Sequence, residues 1–193
     1  MRVLVVFAHP VETSFQAALH RTVVAALKKA GHEVDDCDLY AEGFNPVLSR
    51  EERLHYHDIP ANRVNVEPYV QRLLAAEALV FVHPVWNFGL PAILKGFFDR
   101  VFLPGVSFRM ENGKVKPNLH HITKLTAVVT YGGARWRALG VGDPPRKIVK
   151  RVLRAQIKPM APVGYLAHYD MNRSTDATRS AFLAKVTAEM ERF

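Results

Sequence analysis

The stretch His83 to Phe102, HPVWNFGLPAILKGFFDRVF, decides the fold. It continues an apolar run, LVFV (Leu79 to Val82), that reads as a strand. It then turns through an aromatic loop, Pro84-Val85-Trp86-Asn87-Phe88-Gly89, and enters a helix at Pro91. A proline there costs nothing, because the first N–H of a helix has no intrahelical partner. Isolated aromatics such as Trp86 and Phe88 are usually core residues. A strand-end loop just before a helix, with free N–H groups beside Gly89, also suits a flat ring with polar edges.

Working outward, strand and helix alternate. RVLVVF (Arg2 to Phe7) is continuously apolar, as expected of a central parallel strand covered on both faces. The pattern predicts a helix from Ser14 to Ala30, stopped by Gly31, and a more polar strand from Glu33 to Leu39 near a sheet edge. Ser49-Arg50-Glu51-Glu52 has the form of a capping box and opens a short helix. His57 to Asn65 reads as loop, and Pro68 to Ala76 as a helix leading into Leu79 to His83. The remaining expectations are a helix from Ala92 to Phe102, a strand from Leu125 to Tyr131, a helix from Arg146 to Ile157, and a strand from Val163 to His168. A last helix runs from Asp176 to Phe193, capped by Ser174 or Thr175. Such βαβ units predict one α/β domain, residues 1–193, with a doubly wound five-stranded parallel sheet in the order 2-1-3-4-5. Ligands then bind beyond the carboxyl ends of the strands.

That rule selects three loops. In the first, Ala8 to Gln16, Thr13 or Ser14 caps the following helix and leaves N–H donors facing outward. This is either a phosphate site or merely a capped helix. It is neither a Walker loop nor a GxGxxG turn. The second loop is Pro84 to Gly89. In the third, Thr130-Tyr131-Gly132-Gly133-Ala134-Arg135-Trp136, paired glycines either admit a ligand close to the backbone or serve a tight turn. Gly96, inside a helix, suggests close packing and no chemical role.

Composition excludes several classes. The chain is 49% apolar and 23% charged, an ordinary globular balance. No apolar run approaches membrane-spanning length. A single cysteine, Cys37, allows no internal disulfide and reads as a small buried hydrophobe, which points to the cytoplasm. The net charge of +8 favours phosphorylated ligands and anionic surfaces, but no nucleic-acid motif is present. Arg146, Lys147, Lys150, Arg151, Arg154 and Lys158 fall on one face of the helix predicted there, either a solvated face or a contact surface. The pairs His55-x-His57 and His120-His121 lack metal-site spacing, so no metal is expected. No GxSxG elbow exists.

AHPVETSF (Ala8 to Phe15), DLYAEGFNPVLSREE (Asp38 to Glu52), HPVWNFGLPAILKGFFDRVF, GVSF (Gly105 to Phe108) and TYGG (Thr130 to Gly133) occur in this order in the NAD(P)H:quinone oxidoreductases of the flavodoxin-like fold. The chain resembles that family from Arg2 to Gly133, and PAILKGFFDRVF is its most specific piece. The family also contains flavin proteins of glutathione-gated potassium efflux systems. The resemblance implies a flavin, FAD ahead of FMN from the first loop and FNPVLSR, with NAD(P)H as co-substrate and a quinone-like acceptor. It implies that His9, Thr13, Ser14, Phe15, Gln16 and Ala18 surround the phosphate and ribityl portion. Pro84, Val85, Trp86, Asn87 and Phe88 would line the ring, joined by Thr130, Tyr131, Gly132 and Gly133. Backbone N–H groups of Trp86 to Phe88 and Gly132 to Gly133 would be the ring-edge donors. It further implies a homodimer, and as an alternative function a flavin-carrying regulatory subunit docked on a membrane transporter through the basic segment.

Two departures stand out. Animal members carry a tyrosine and a histidine shortly after the paired glycines, assigned to charge stabilisation on the flavin. Ala134 to Asp143 contains neither, which leaves Arg135 and Trp136 as candidate catalytic residues. Asn87 stands where those members place a second ring-side aromatic.

Overall fold

Five parallel strands form the central sheet of the computed structural model, which describes residues 1–193. The elements are β1 (Arg2–Phe7), α1 (Phe15–Lys29), β2 (Glu33–Asp38), α2 (Arg50–Leu54), α3 (Glu67–Ala75), β3 (Ala78–Val85) and α4 (Ala92–Val101). There follow β4 (Phe108–Glu111), β5 (Lys114–Pro117), β6 (Lys124–Tyr131), α5 (Arg135–Gly140), α6 (Pro144–Lys147), β7 (Val163–His168) and α7 (Asp176–Met190). The sheet order is β2-β1-β3-β6-β7, which among its five strands is the expected 2-1-3-4-5. Val3 to Phe7 pair with Ala78 to Val82, and Ala78 to Val85 with Lys124 to Tyr131.

Burial explains the unbroken apolar runs. One face of the sheet, with Val3, Val5, Val80, Val82 and Val128, packs on Leu19, Val23 and Leu27 of α1 and Phe182 and Val186 of α7. The other face, with Leu4, Val6, Leu79, Phe81 and Val129, packs on α3 and α4. β2, the more polar strand, lies at the edge. Cys37 is buried there, and burial pushes its thiol up to about 12, so it stays protonated and unreactive.

Segment 44–52 lies against α4. Arg100, on α4, is buried beside Glu52 and also donates to the Asn45 carbonyl. Glu52 in turn closes the capping box of α2 with Ser49. Gly96 faces Pro46 so closely that a Cβ would stand 2.2 Å from the Pro46 carbonyl oxygen.

Several expectations need correction. β3 runs on through Pro84 and Val85, both assigned above to a loop, and both are buried. Beyond Ala8 the β1 side of β3 is no longer paired, so a proline there loses no ladder bond. His57 to Asn65 is not all loop, since a 3₁₀ turn spans Ala61–Val66. The basic segment is not one helix with all its cations outward. α6 continues as a π-helical stretch, Ile148–Leu153, whose wider turn keeps Val149 and Leu153 buried but leaves Val152 exposed. Lys150 turns inward and donates to the Val163 carbonyl; burial, with Arg146 and Arg154 nearby, holds its pKa below the usual lysine range. The β4–β5 hairpin and α5 are additional to the expected elements. No helix is long and apolar enough to cross a membrane.

Candidate functional site

The carboxyl ends of β1, β3 and β6 bring the three loops together. In the first, Ser14 caps α1, accepting from the Ala17 N–H at 3.1 Å. His9 Nδ1 accepts from the Val11 N–H at 3.0 Å and lies 3.1 Å from the Ser14 hydroxyl. Burial outweighs the Val11 carbonyl contact and lowers the His9 pKa, so the imidazole is a neutral prop for the loop. The N–H groups of Thr13, Phe15 and Gln16 find no acceptor in the protein. They are the unpaired donors of a helix N-terminus, as an anionic group requires. The Ala18 N–H is different: it bonds the Ser14 carbonyl.

The second loop is a two-residue reversal. The Trp86 N–H donates to the Gly89 carbonyl at 3.2 Å, and the Gly89 N–H returns to Trp86 at 2.8 Å. Asn87 and Phe88 between them have φ of 48° and 57°, the geometry of a type I′ turn. The Trp86 N–H is therefore engaged, contrary to its expected role as a ring-edge donor, while those of Asn87 and Phe88 are free. The turn projects Trp86 and Phe88 outward, 43% and 41% exposed, so neither is a core aromatic. Trp86 meets His9 of the first loop at 5.8 Å between ring centres.

Phe88 holds a backbone conformation that suits glycine. Truncating it to alanine leaves that strain, whereas glycine removes it. Phe88→Gly is therefore expected to be more stable than Phe88→Ala by about 1 kcal/mol, reversing the usual order. Equal denaturation midpoints for the two variants would show that the loop relaxes without cost.

In the third loop, the Gly132 and Gly133 carbonyls accept from Asn172 and Asp170, while their own N–H groups are unpaired. Neither glycine has a positive φ, and a Cβ on Gly132 would meet only the Asn172 side chain, at 3.5 Å. The protein's own packing does not demand these glycines, which removes the tight-turn alternative. Thr130 and Gln16 are used on each other: the Thr130 hydroxyl donates to Gln16 Oε1 at 2.8 Å, and Gln16 Nε2 reaches the Val128 carbonyl at 3.2 Å. Both are buried, so their side chains tie the first loop to the third and do not line the opening.

Val85, Asn87, Phe88, Tyr131, Gly132, Gly133 and Ala138 surround a cavity of about 170 Å³. A larger one of about 480 Å³ is lined by His168, Asp170, Arg173, Ser174 and Lys185, and the Phe15 ring meets His168 edge-on. Arg135 and Trp136 begin α5 and are exposed; Arg137 lies over the Trp136 ring. Several residues at the site were not singled out from sequence. His83 is buried directly behind the second loop, with Nδ1 bonded to the Pro84 carbonyl at 2.9 Å. Asp143, Tyr165 and Tyr169 lie beneath the third loop. No local pattern marks them: the β6–β7 pairing brings Tyr165 and Tyr169 beside Tyr131, and α5 brings Asp143 back to it.

This geometry agrees with the comparisons. A family model described as the flavodoxin-like fold (Flavodoxin_2) matches residues 1–187. The rat protein named NAD(P)H dehydrogenase [quinone] 1 is 34% identical over 160 residues, covering 74% of this chain but 58% of its own length. The chain thus spans little more than half of that relative. A solved Streptococcus mutans structure superposes over 100% of both chains with a TM-score of 0.87 and 29% identity. The NAD(P)H:quinone oxidoreductase from Methanothermobacter marburgensis covers 99% of this chain and 98% of its own, with a TM-score of 0.85 and 26% identity. From the sheet order, the loops gathered at its carboxyl edge and a family match over nearly every residue, this chain belongs to the flavodoxin-like fold family.

Proposed function

We propose that the chain is a flavin-dependent NAD(P)H oxidoreductase acting on quinones or similar small acceptors. The observation that carries this reading is the convergence of unpaired backbone N–H groups on one edge of the sheet. Those of Thr13, Phe15 and Gln16 suit a phosphate, and those of Asn87, Phe88, Gly132 and Gly133 suit the polar edge of a ring. A flavin held there would supply two-electron, hydride-transfer chemistry between a nicotinamide and the acceptor. The chain's part is to bind and orient. Trp86 and Phe88 offer apolar faces beside the ring position, and His9 and Ser14 hold the phosphate loop in shape. Tyr131 closes the floor of the small cavity. Arg135 is the cation we assign to the negative charge of the reduced state or to the dinucleotide.

FAD is put ahead of FMN on the resemblance through the first loop and FNPVLSR; Phe15, one of the phosphate donors, also touches His168 on the wall of the cavity that Arg173 and Lys185 line. A homodimer is favoured by the open apolar cleft of about 550 Å³ formed by Leu90, Phe98, Phe102, Phe108 and Val152. We place the protein in the cytoplasm, where its lone buried cysteine needs no partner.

Purified protein titrated with FAD and with FMN tests the reading. It should turn yellow, NAD(P)H should bleach it, and a quinone should restore the colour. Chromatography of the released cofactor separates FAD from FMN. Failure to bind either flavin at micromolar concentration would sink the proposal. In the same assay Gly132→Val should weaken flavin binding strongly, because a β-branched side chain is added at the turn whose free N–H groups suit the ring edge, beside the Asn172 side chain. Its folding stability should stay within about 0.5 kcal/mol of the parent, as at a surface site. Full flavin occupancy in that variant would place Gly132 away from the ring.

A further inference from the structure

We propose that Asp143 is a positioning residue of this site: by accepting the Tyr131 hydroxyl it fixes both the Gly132–Gly133 turn and α5. The proposal rests on the flavin reading above for its functional consequence, though not for its geometry.

α5 cannot hold itself in place. It has six residues, no side-chain cap at its N-terminus, and only Ala138 buried, while Trp136 and Leu139 are exposed. A helix so short has no stability of its own. Its position is set by its two ends. At the near end, the Gly132 and Gly133 carbonyls are held by the N–H groups of Asn172 and Asp170. At the far end, the Asp143 N–H donates to the Ala138 carbonyl at 2.7 Å, and its carboxylate accepts from Tyr131 Oη at 2.5 Å. Tyr131 is the last residue of β6 and the one before Gly132, so this bond joins the end of α5 to the strand that carries the turn.

The link is directional. Tyr165 Oη lies 2.6 Å from Tyr131 Oη. Tyr131 has one proton and gives it to Asp143, so Tyr165 is the donor to Tyr131. Tyr169 stacks on the Tyr131 ring at 4.6 Å. Burial, with the bond to Asp143 behind it, pushes the Tyr131 hydroxyl well above its ordinary pKa, so it keeps its proton and acts as a fixed strut.

The arrangement is not optimised for stability alone. Asp143 is 4% exposed, adopts a left-handed backbone with φ of 46°, and leaves Oδ2 buried without a partner. Tyr169 Oη is buried too, with Arg146 beside it but no well-formed hydrogen bond. Backbone strain and unsatisfied buried oxygens persist where something other than folding requires the geometry. Here they are concentrated immediately beneath the ring-edge donors.

The test compares the parent with Asp143→Ala, Asp143→Asn and Tyr131→Phe. Amide hydrogen exchange over residues 132–143 is read on flavin-free protein, and flavin affinity and the quinone KM and kcat on the loaded protein. For Asp143→Ala and Tyr131→Phe, exchange in this segment should rise by about ten- to a hundredfold while β6 and β7 stay protected. Flavin affinity should fall, and quinone KM should rise more than kcat falls. Asp143→Asn should recover most of each, because its amide oxygen can accept the same hydroxyl. If Asp143→Ala does not fold, Tyr131→Phe, which removes one oxygen, decides. Unchanged exchange after loss of the hydroxyl would overturn the proposal. So would an asparagine variant as impaired as alanine, or a loosened segment with unaltered flavin affinity and kinetics. A parent that binds no flavin would instead sink the functional reading and leave the exchange result standing.

Discussion

Gly96→Ala is expected to destabilise the protein by about 3 kcal/mol, the upper range for overpacking a core. The added Cβ would stand 2.2 Å from the Pro46 carbonyl oxygen and 2.4 Å from Pro46 Cβ, distances that require one element to move. Neither can move freely. α4 buries Ile93, Leu94, Phe97 and Val101 in the core. Segment 44–52 is held by the Arg100–Glu52 pair and by the Asn45 carbonyl. Separating them would also strip a buried arginine of its carboxylate, which adds to the cost. Alanine normally stabilises a helix interior by about 1 kcal/mol over glycine, so the measured loss is net of that gain. Chemical denaturation of the two proteins decides the matter. A variant as stable as the parent would mean that the 44–47 segment is not clamped as described.

The same position shows what sequence can reveal. A glycine within PAILKGFF signalled a close approach, but nothing local named Pro46, fifty residues earlier, as its partner. The five sheet strands were legible because three of them are buried on both faces and therefore read as unbroken apolar runs. Pro84 misled the boundary of β3, since its disadvantage in a strand depends on whether a neighbour is paired at that level. The β4–β5 hairpin carried its own signal, Asn112-Gly113, with φ of 51° and 73°. The flanking residues alternate, Phe108-Arg109-Met110-Glu111 and Lys114-Val115-Lys116-Pro117, but each strand is only four residues long and largely exposed, so the alternation is too short to stand out. In the basic segment a 3.6-residue period fails, because the π-helical stretch changes which residues face inward. At the site, the loops could be located from the fold rule alone. The mutual engagement of Gln16 with Thr130, and of Tyr131 with Asp143, depends on contacts across 114 and 12 positions, which periodicity does not report.

His83 leads to a prediction about acid. Its imidazole is 1% exposed, donates through Nδ1 to the Pro84 carbonyl, and leaves Nε2 buried with no partner. Burial outweighs that carbonyl bond and lowers the pKa from 6.5 to about 4. The sign follows from linkage. Between pH 4 and 6.5 the unfolded chain binds a proton at this position and the folded chain does not, so stability rises with pH across that window. The contribution is complete above the unfolded value and is lost as pH falls toward the folded one. The drop corresponds to about 3 kcal/mol. His83→Gln keeps a donor for the Pro84 carbonyl but cannot titrate. Denaturant unfolding of both proteins, at neutral pH and near pH 4, should show the parent losing about 3 kcal/mol more than the variant. Comparing differences cancels His9 and His168, whose pKa values are also lowered by burial and which both proteins share. Because His83 lies directly behind Pro84 to Gly89, its protonation should disturb the second loop first, before the sheet opens. Parallel pH profiles for parent and variant would show instead that the charged ring finds water or an acceptor at little cost, and that His83 is not the residue limiting acid stability.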